Sequence, residues 1–131
     1  MMMSTTLTYL AWTVLFTALL WIPYILNALQ VRGLTEAMGY PADPKPLAPW
    51  AERAKRAHYN AVENLVIFAP AVVLAHITGA ANDTTATAAL VYLLARIVHY
   101  VVYALGIPYA RTLSFTVGWV CTIVVVWQVL G

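Results

Sequence analysis

The sequence predicts an all-α integral membrane protein, a bundle of four transmembrane helices, and three observations carry that expectation. The 131 residues are 63% hydrophobic and 9% charged, where an average soluble domain has roughly 45–50% apolar and about 25% charged residues. The mean hydropathy is +0.78. The apolar residues gather into four segments, each near the ~20 residues that cross a hydrocarbon core. The period-two alternation of a membrane-spanning strand is absent from all of them. The length suits one compact unit, a single four-helix domain over residues 1–131.

The first segment runs from about Thr6 to Gln30, with Pro23 as an expected kink. It lacks a basic n-region and a small-residue cleavage site, and it exceeds the ~7–15 residues of a signal-peptide core. It is therefore expected to remain as a transmembrane helix. The second segment, from about Arg53 to Thr78, contains Pro70; the third spans about Thr84 to Leu105 and the fourth about Ala110 to Leu130. Between the first two helices, Val31 to Pro49 holds Pro41, Pro44, Pro46 and Pro49, with Gly33 and Gly39, and reads as a stiff, extended extramembrane loop. The other two connections are short turns, at Gly79–Asp83 and Gly106–Tyr109, with Asp83 as the expected N-cap of the third helix.

Basic residues set the expected orientation. Arg32, Lys45, Arg53, Lys55 and Arg56 flank the first loop, Arg111 flanks the third, and the second loop and both termini carry no Lys or Arg. The positive-inside rule then places loops one and three in the cytoplasm and both termini on the opposite side. A net charge of +2 is too small to argue for nucleic acid. Cys121 is the sole cysteine, so no disulfide framework exists, and in its apolar run it reads as a buried structural thiol.

The chemistry concentrates where a charged stretch, Glu52 to Glu63 (E-R-A-K-R-A-H-Y-N-A-V-E), runs unbroken into apolar sequence. On one helix, Arg53, Arg56, Asn60 and Glu63 share a face, so Asn60 and Glu63 are carried into the membrane. Groups at that depth are costly and tend to face a bundle interior or cavity. On the third helix Arg96, His99 (or Tyr100) and Tyr103 form a similar stripe, and Arg96 lies about ten residues, ~15 Å, from the helix end. Antiparallel packing predicts a Glu63–Arg96 ion pair, within a subunit or across a subunit boundary, that relieves both desolvation costs. Arg32, Arg56, Arg96 and Arg111 face few acids, and guanidinium forks bind carboxylates bidentately. Asn60 and Glu63 can receive an ammonium or amide, and Tyr103 and Thr112 add hydroxyls. The ligand suggested has two or more carboxylates and one amine.

Simpler roles compete. Arg32, Arg53, Lys55 and Arg111 can snorkel to anionic headgroups, and His99 can be a satisfied interior histidine. His58, His76 and His99 share no metal-ligand spacing, so no metal site is expected. Tyr9, Tyr24, Trp12, Trp21, Trp50, Trp119 and Trp127 read as interface-belt or packing residues. No Walker loop, dinucleotide turn or nucleophile elbow is present. A non-catalytic membrane protein that holds lipid or another anion in basic inter-helix clefts stays open as an alternative.

The stretch Glu52–Glu63 resembles the signature of the MAPEG family, membrane-associated proteins in eicosanoid and glutathione metabolism, which reads E-R-x-x-R-A-H-x-N-x-x-E. Gln30-Val31-Arg32, Arg96-x-x-His99-x-x-x-Tyr103 and Arg111-Thr112 resemble the family's pattern at the end of the first helix, in the third, and at the start of the fourth. Members include microsomal glutathione transferases and prostaglandin E synthases. The resemblance implies a homotrimer with glutathione as co-substrate, bound between neighbouring subunits near the cytoplasmic side. It implies contacts from Arg32, Arg56, Asn60, Glu63, His99, Tyr103 and Arg111, with Arg96 in the same basic cluster. It implies that Arg111 holds the glutathione thiol as thiolate, with Thr112 as hydrogen-bond donor, for attack on lipophilic small molecules arriving from membrane lipid. The sequence departs from the pattern at Tyr59, where several members carry arginine, at Thr112 in place of serine, and at Phe115 in place of tyrosine. The spacing of Gly106 and Pro108 between the third and fourth helices is also displaced.

Overall fold

A computed structural model describes residues 4–131 and contains five helices. They are α1 (Thr5–Leu19), α2 (Trp21–Met38), α3 (Pro49–Ile77), α4 (Asp83–Leu105) and α5 (Pro108–Leu130). Joined end to end, α1 and α2 form the first of four candidate spans, Thr5–Met38. With three further spans of 29, 23 and 23 residues and similar hydropathy, the chain is an integral, multi-pass membrane protein.

The first predicted helix is thus divided, and the break lies at Leu20, not at Pro23. Proline removes its own N–H and crowds the carbonyl four residues earlier, so the disturbance falls on Leu19 and Leu20. Pro23 itself sits in the first turn of α2, where a missing donor costs nothing. The carbonyl of Leu20 gains a partner across the bundle, accepting from Tyr100 Oη at 3.2 Å. α2 also runs past the expected end at Gln30, continuing to Met38 through a non-helical Gly33 (φ 78°, ψ 165°). The loop expected over Val31 to Pro49 is accordingly confined to residues 39–48.

α3 begins at Pro49, earlier than the expected Arg53, because proline fits the first helical position. At ~1.5 Å per residue its 29 residues reach about 44 Å, well beyond the ~30 Å hydrocarbon core. Pro70 is absorbed within it. Ala51, Ala54 and Ala57 are fully buried and Ala61 nearly so, which gives α3 a stripe of small side chains for close helix approach. Ala51 and Ala54 pack with Tyr24, Ala28 and Leu47. Farther along, Phe68, Ala71, Val72 and Ala75 meet Leu10, Ala88, Ala89, Tyr92, Cys121 and Val125. There the rings of Phe68 and Tyr92 stack with centroids 3.7 Å apart. Cys121 is buried in this cluster, as expected.

α4 is the hub, packed against α1, α3 and α5. Its N-cap is Asn82 rather than the expected Asp83: Asn82 Oδ1 accepts from Thr85 N, and Asn82 N donates to Thr85 Oγ1, both at 2.9 Å. At the other end Gly106 adopts a left-handed conformation (φ 78°, ψ 30°). Its N–H donates to Tyr103 O, and Ile107 N–H to Val102 O, a closure that leaves the Ala104 carbonyl free. Arg53 Nε fills that vacancy at 2.9 Å, placing a cation where the helix dipole is negative. Among the belt candidates, Trp12, Trp21, Trp50, Trp119 and Trp127 are exposed, whereas Tyr24 is buried and bonds His58 Nδ1 at 2.7 Å.

Gly79 and Gly106 both have positive φ, but only at Gly106 would an added Cβ meet another side chain, 3.3 Å from Arg53. Replacing either by alanine should cost the left-handed strain of about 1–2 kcal/mol. Gly106→Ala should cost more, because Arg53 must also shift from Ala104. Melting of the two variants in detergent checks this; equal losses would contradict the Arg53 cap.

Candidate functional site

The site is built where α3, α4 and α5 converge. Asn60, His99, Tyr103, Arg111, Thr112 and Phe115 line a cleft of about 300 Å³. α3 contributes Asn60 from the flank of its alanine stripe, and α4 contributes His99 and Tyr103 one turn apart. The first two turns of α5 contribute the rest. No side chain caps that helix start, so its N-terminal dipole is left to favour an anion.

Beneath the cleft lies Arg96, 3% exposed. Its stem passes Gly118 of α5, where an added Cβ would stand 3.6 Å from Arg96 Cδ. Arg96 Nη2 donates to Asn60 Oδ1 at 2.7 Å and lies 3.3 Å from His99 Nδ1. Asn64 buttresses Asn60, its Nδ2 donating to the Asn60 carbonyl at 2.8 Å and to Oδ1 at 3.2 Å. Arg96 Nε and the Tyr92 hydroxyl are buried with no hydrogen-bond partner in the protein.

The expected Glu63–Arg96 pair is not formed within the chain. Arg96 turns to Asn60, one turn earlier on α3, while Glu63 is exposed. On a helical wheel Asn60 stands about 60° closer than Glu63 to the buried alanines, so Asn60 is the polar side chain that α3 brings to α4.

Above Arg96 the cleft walls are aromatic and cationic. The His99 and Tyr103 rings meet edge to face at 5.5 Å, and His99 lies 6.4 Å from the Phe115 ring. The Arg111 guanidinium sits 5.0 Å above the Tyr103 ring, a cation–π contact that holds an exposed arginine over the opening. Thr112 Oγ1 makes only a long 3.5 Å approach to Pro108 O, so its hydroxyl remains available.

Asn60, His99, Tyr103, Arg111 and Thr112 are thus brought together, with Arg96 as floor. Arg32, Arg56 and Glu63 are not part of this cleft. Arg32 Nε donates to the Lys45 carbonyl at 2.7 Å, tying the end of the first span to the proline-rich loop. Arg56 and Glu63 are exposed on the outward side of α3. Sequence reasoning missed Asn64, for which the only signal was its position one turn after Asn60. It also missed Arg53 as the cap of α4, which no local pattern announces.

A family model described as MAPEG family matches residues 7–131. No curated protein and no solved structure matches the chain.

The geometry shifts the expected mutational sensitivity from Glu63 to Asn60. Asn60→Leu removes the shortest partner of a buried guanidinium and should cost about 1.5–3 kcal/mol, the range for hydrogen bonds to charged groups. Glu63→Gln, at an exposed position, should leave the fold of the single chain nearly unchanged. Thermal or denaturant unfolding of the two variants in the same detergent decides the order.

Proposed function

The chain belongs to the MAPEG family, membrane proteins of eicosanoid and glutathione metabolism, and on that premise we propose that it is a glutathione-dependent transferase or peroxidase. Its second substrates are lipophilic electrophiles that reach the site from the membrane. The observation that carries this reading is the cleft itself, with Asn60, His99, Tyr103, Arg111 and Thr112 gathered over the buried Arg96.

Glutathione offers two carboxylates, an ammonium and a thiol. Arg111 supplies a cation at the mouth, and a nearby cation lowers a thiol pKa from ~8.5 towards neutrality. In this reading Arg111 stabilises the thiolate and Thr112 donates a hydrogen bond to it. In conjugation to an aryl halide, the thiol proton passes to water, the sulfur–carbon bond forms, and halide leaves with its bonding pair. The protein's share of the rate is positioning and charge stabilisation, without covalent help. A separate apolar groove of about 410 Å³ between α4 and α5, lined by residues including Leu94, Val98, Leu113 and Val117, opens on the other side of α5. It supports a lipophilic partner arriving laterally.

Arg56 and Glu63 enter the proposal through a second subunit. They point away from the chain's own bundle, on the face of α3 opposite its buried alanines. A homotrimer would bring that face, and Arg32, against the cleft of a neighbour, where Glu63 is suited to the ammonium and the arginines to the carboxylates. Loops one and three, with the basic residues, would face the cytoplasm and both termini the opposite side.

The test is glutathione binding to purified protein in detergent, the ultraviolet thiolate absorbance on binding, and conjugation to an aryl halide. Arg111→Ala should lower turnover by about 10²–10³, the usual loss when one electrostatic donor to developing charge is removed, and should abolish the thiolate band. Binding without a thiolate band or turnover would favour the non-catalytic alternative. Arg111→Ala would then change retention of lipid or another anion, with no activity to lose.

A further inference from the structure

We propose that Arg96 is the positioning residue of the cleft: it holds His99 in the tautomer protonated on Nε2 and Asn60 with its amide NH₂ free, so that the polar groups left for a ligand are donors. This inference rests on the proposed anion-binding role for its functional meaning, but its geometry stands without it.

A guanidinium has N–H donors and no acceptor. Any ring nitrogen that bonds to it must therefore be bare. Arg96 Nη2 lies 3.3 Å from His99 Nδ1, so Nδ1 is the acceptor, and the proton of the neutral imidazole resides on Nε2. The same logic fixes the amide of Asn60. Its Oδ1 accepts from Arg96 Nη2 at 2.7 Å and from Asn64 Nδ2 at 3.2 Å; only Nδ2 remains to serve the cleft. The two hydrogens of Nη2 match these two acceptors in number. Arg96 is 97% buried, given its 3% exposure, and is hydrogen-bonded to two cleft residues, Asn60 and His99.

One hidden cation thereby sets the polarity of two neighbours at once. The cleft then presents the His99 Nε2–H, the Asn60 NH₂ and the Arg111 guanidinium as donors, with the Tyr103 and Thr112 hydroxyls able to join them. A ligand group seated here meets donors before acceptors, as suits a carboxylate or thiolate and not an ammonium. The ammonium of an amino-acid ligand is directed elsewhere, towards an acid outside this cleft. This revises the expectation that Asn60 receives an ammonium.

The experiment is nitrogen-15 NMR of the full-length protein in lipid bilayers, with all histidines labelled and the His99 signals assigned by their loss in His99→Gln. Wild-type protein without added ligand should show His99 as a single tautomer, protonated at Nε2 and bare at Nδ1. Arg96→Met should release it, giving a protonated Nδ1 or a mixture of tautomers, and Arg96→Lys should restore part of the wild-type pattern. A role limited to packing would leave the tautomer unchanged in Arg96→Met. A protonated Nδ1 in the wild type would overturn the proposal even where Arg96→Met does not assemble.

Glutathione titration provides the second measurement. With the tautomer as expected, Arg96→Met should weaken glutathione binding by about tenfold to a hundredfold, from the loss of hydrogen bonds to a charged ligand. Should the wild type show the Nε2 tautomer yet bind no glutathione, the positioning role of Arg96 stands and the glutathione reading fails. An unchanged glutathione affinity in Arg96→Met, with the tautomer released, would overturn the claim that donor orientation serves the ligand.

Discussion

The arrangement of α3, α4 and α5 depends on how one guanidinium is satisfied inside an apolar bundle. Arg96 is buried inside the bundle of a membrane protein, where polar groups must find their partners within the protein. Leaving such a charge unpartnered is among the costliest arrangements available to a chain. The bundle answers the constraint with neutral groups that engage Nη2, the Asn60 side-chain oxygen Oδ1 from α3 and the His99 ring nitrogen Nδ1 of α4 itself. Nε has no partner in the protein, and α5 lays the flat surface of Gly118 beside the stem. Neutral acceptors solvate the charge without cancelling it. The cation persists beneath the cleft, and its field reaches whatever binds there.

The alanine stripe and the polar stripe of α3 are two consequences of one helical period. Ala51, Ala54, Ala57 and Ala61 turn inward and permit close approach. Residues displaced by about 120–180° on the wheel must then turn away from the bundle. Arg56 and Glu63 occupy that outward side, and Asn60 lies at its edge. A membrane helix that sends an arginine and a glutamate outward is not built to face hydrocarbon there, which is the physical reason a second subunit enters the functional reading. Arg53, on the same flank, escapes the cost differently by reaching the open carbonyl at the end of α4.

The four spans were legible because each is a long apolar run bounded by prolines, glycines or charges, signals that need no knowledge of partners. The cleft residues on α4 and α5 were legible for a related reason: Arg96, His99, Tyr103 and Arg111 are polar exceptions inside apolar sequence. The details that escaped all depend on geometry between elements. Pro23 acts on a carbonyl four residues upstream, so the break sits at Leu20. Gly33 interrupts α2 without ending it. Charge complementarity favoured Glu63 as the partner of Arg96, but packing of the alanine stripe fixed the rotation of α3 and presented Asn60 first. The roles of Asn64 and Arg53 required knowing which carbonyls were left open.

Tyr59 bears on how this chain departs from the family's binding pattern. Several members carry an arginine there, and its replacement by tyrosine removes one cation from the outward side of α3. The structure places Lys55, one turn earlier, with Nζ 5.9 Å from the Tyr59 ring centroid, at the limit of a cation–π contact. An ammonium is a compact point charge, without the planar fork that grips a carboxylate bidentately. With tyrosine at position 59, Lys55 supplies positive charge on this side of α3 without a fork for directional recognition. In the proposed reading, affinity for a carboxylate at this edge becomes more sensitive to salt, because an exposed charge without a fork is screened over about 8–10 Å. Orientation of the ligand then falls to the groups that Arg96 holds in place.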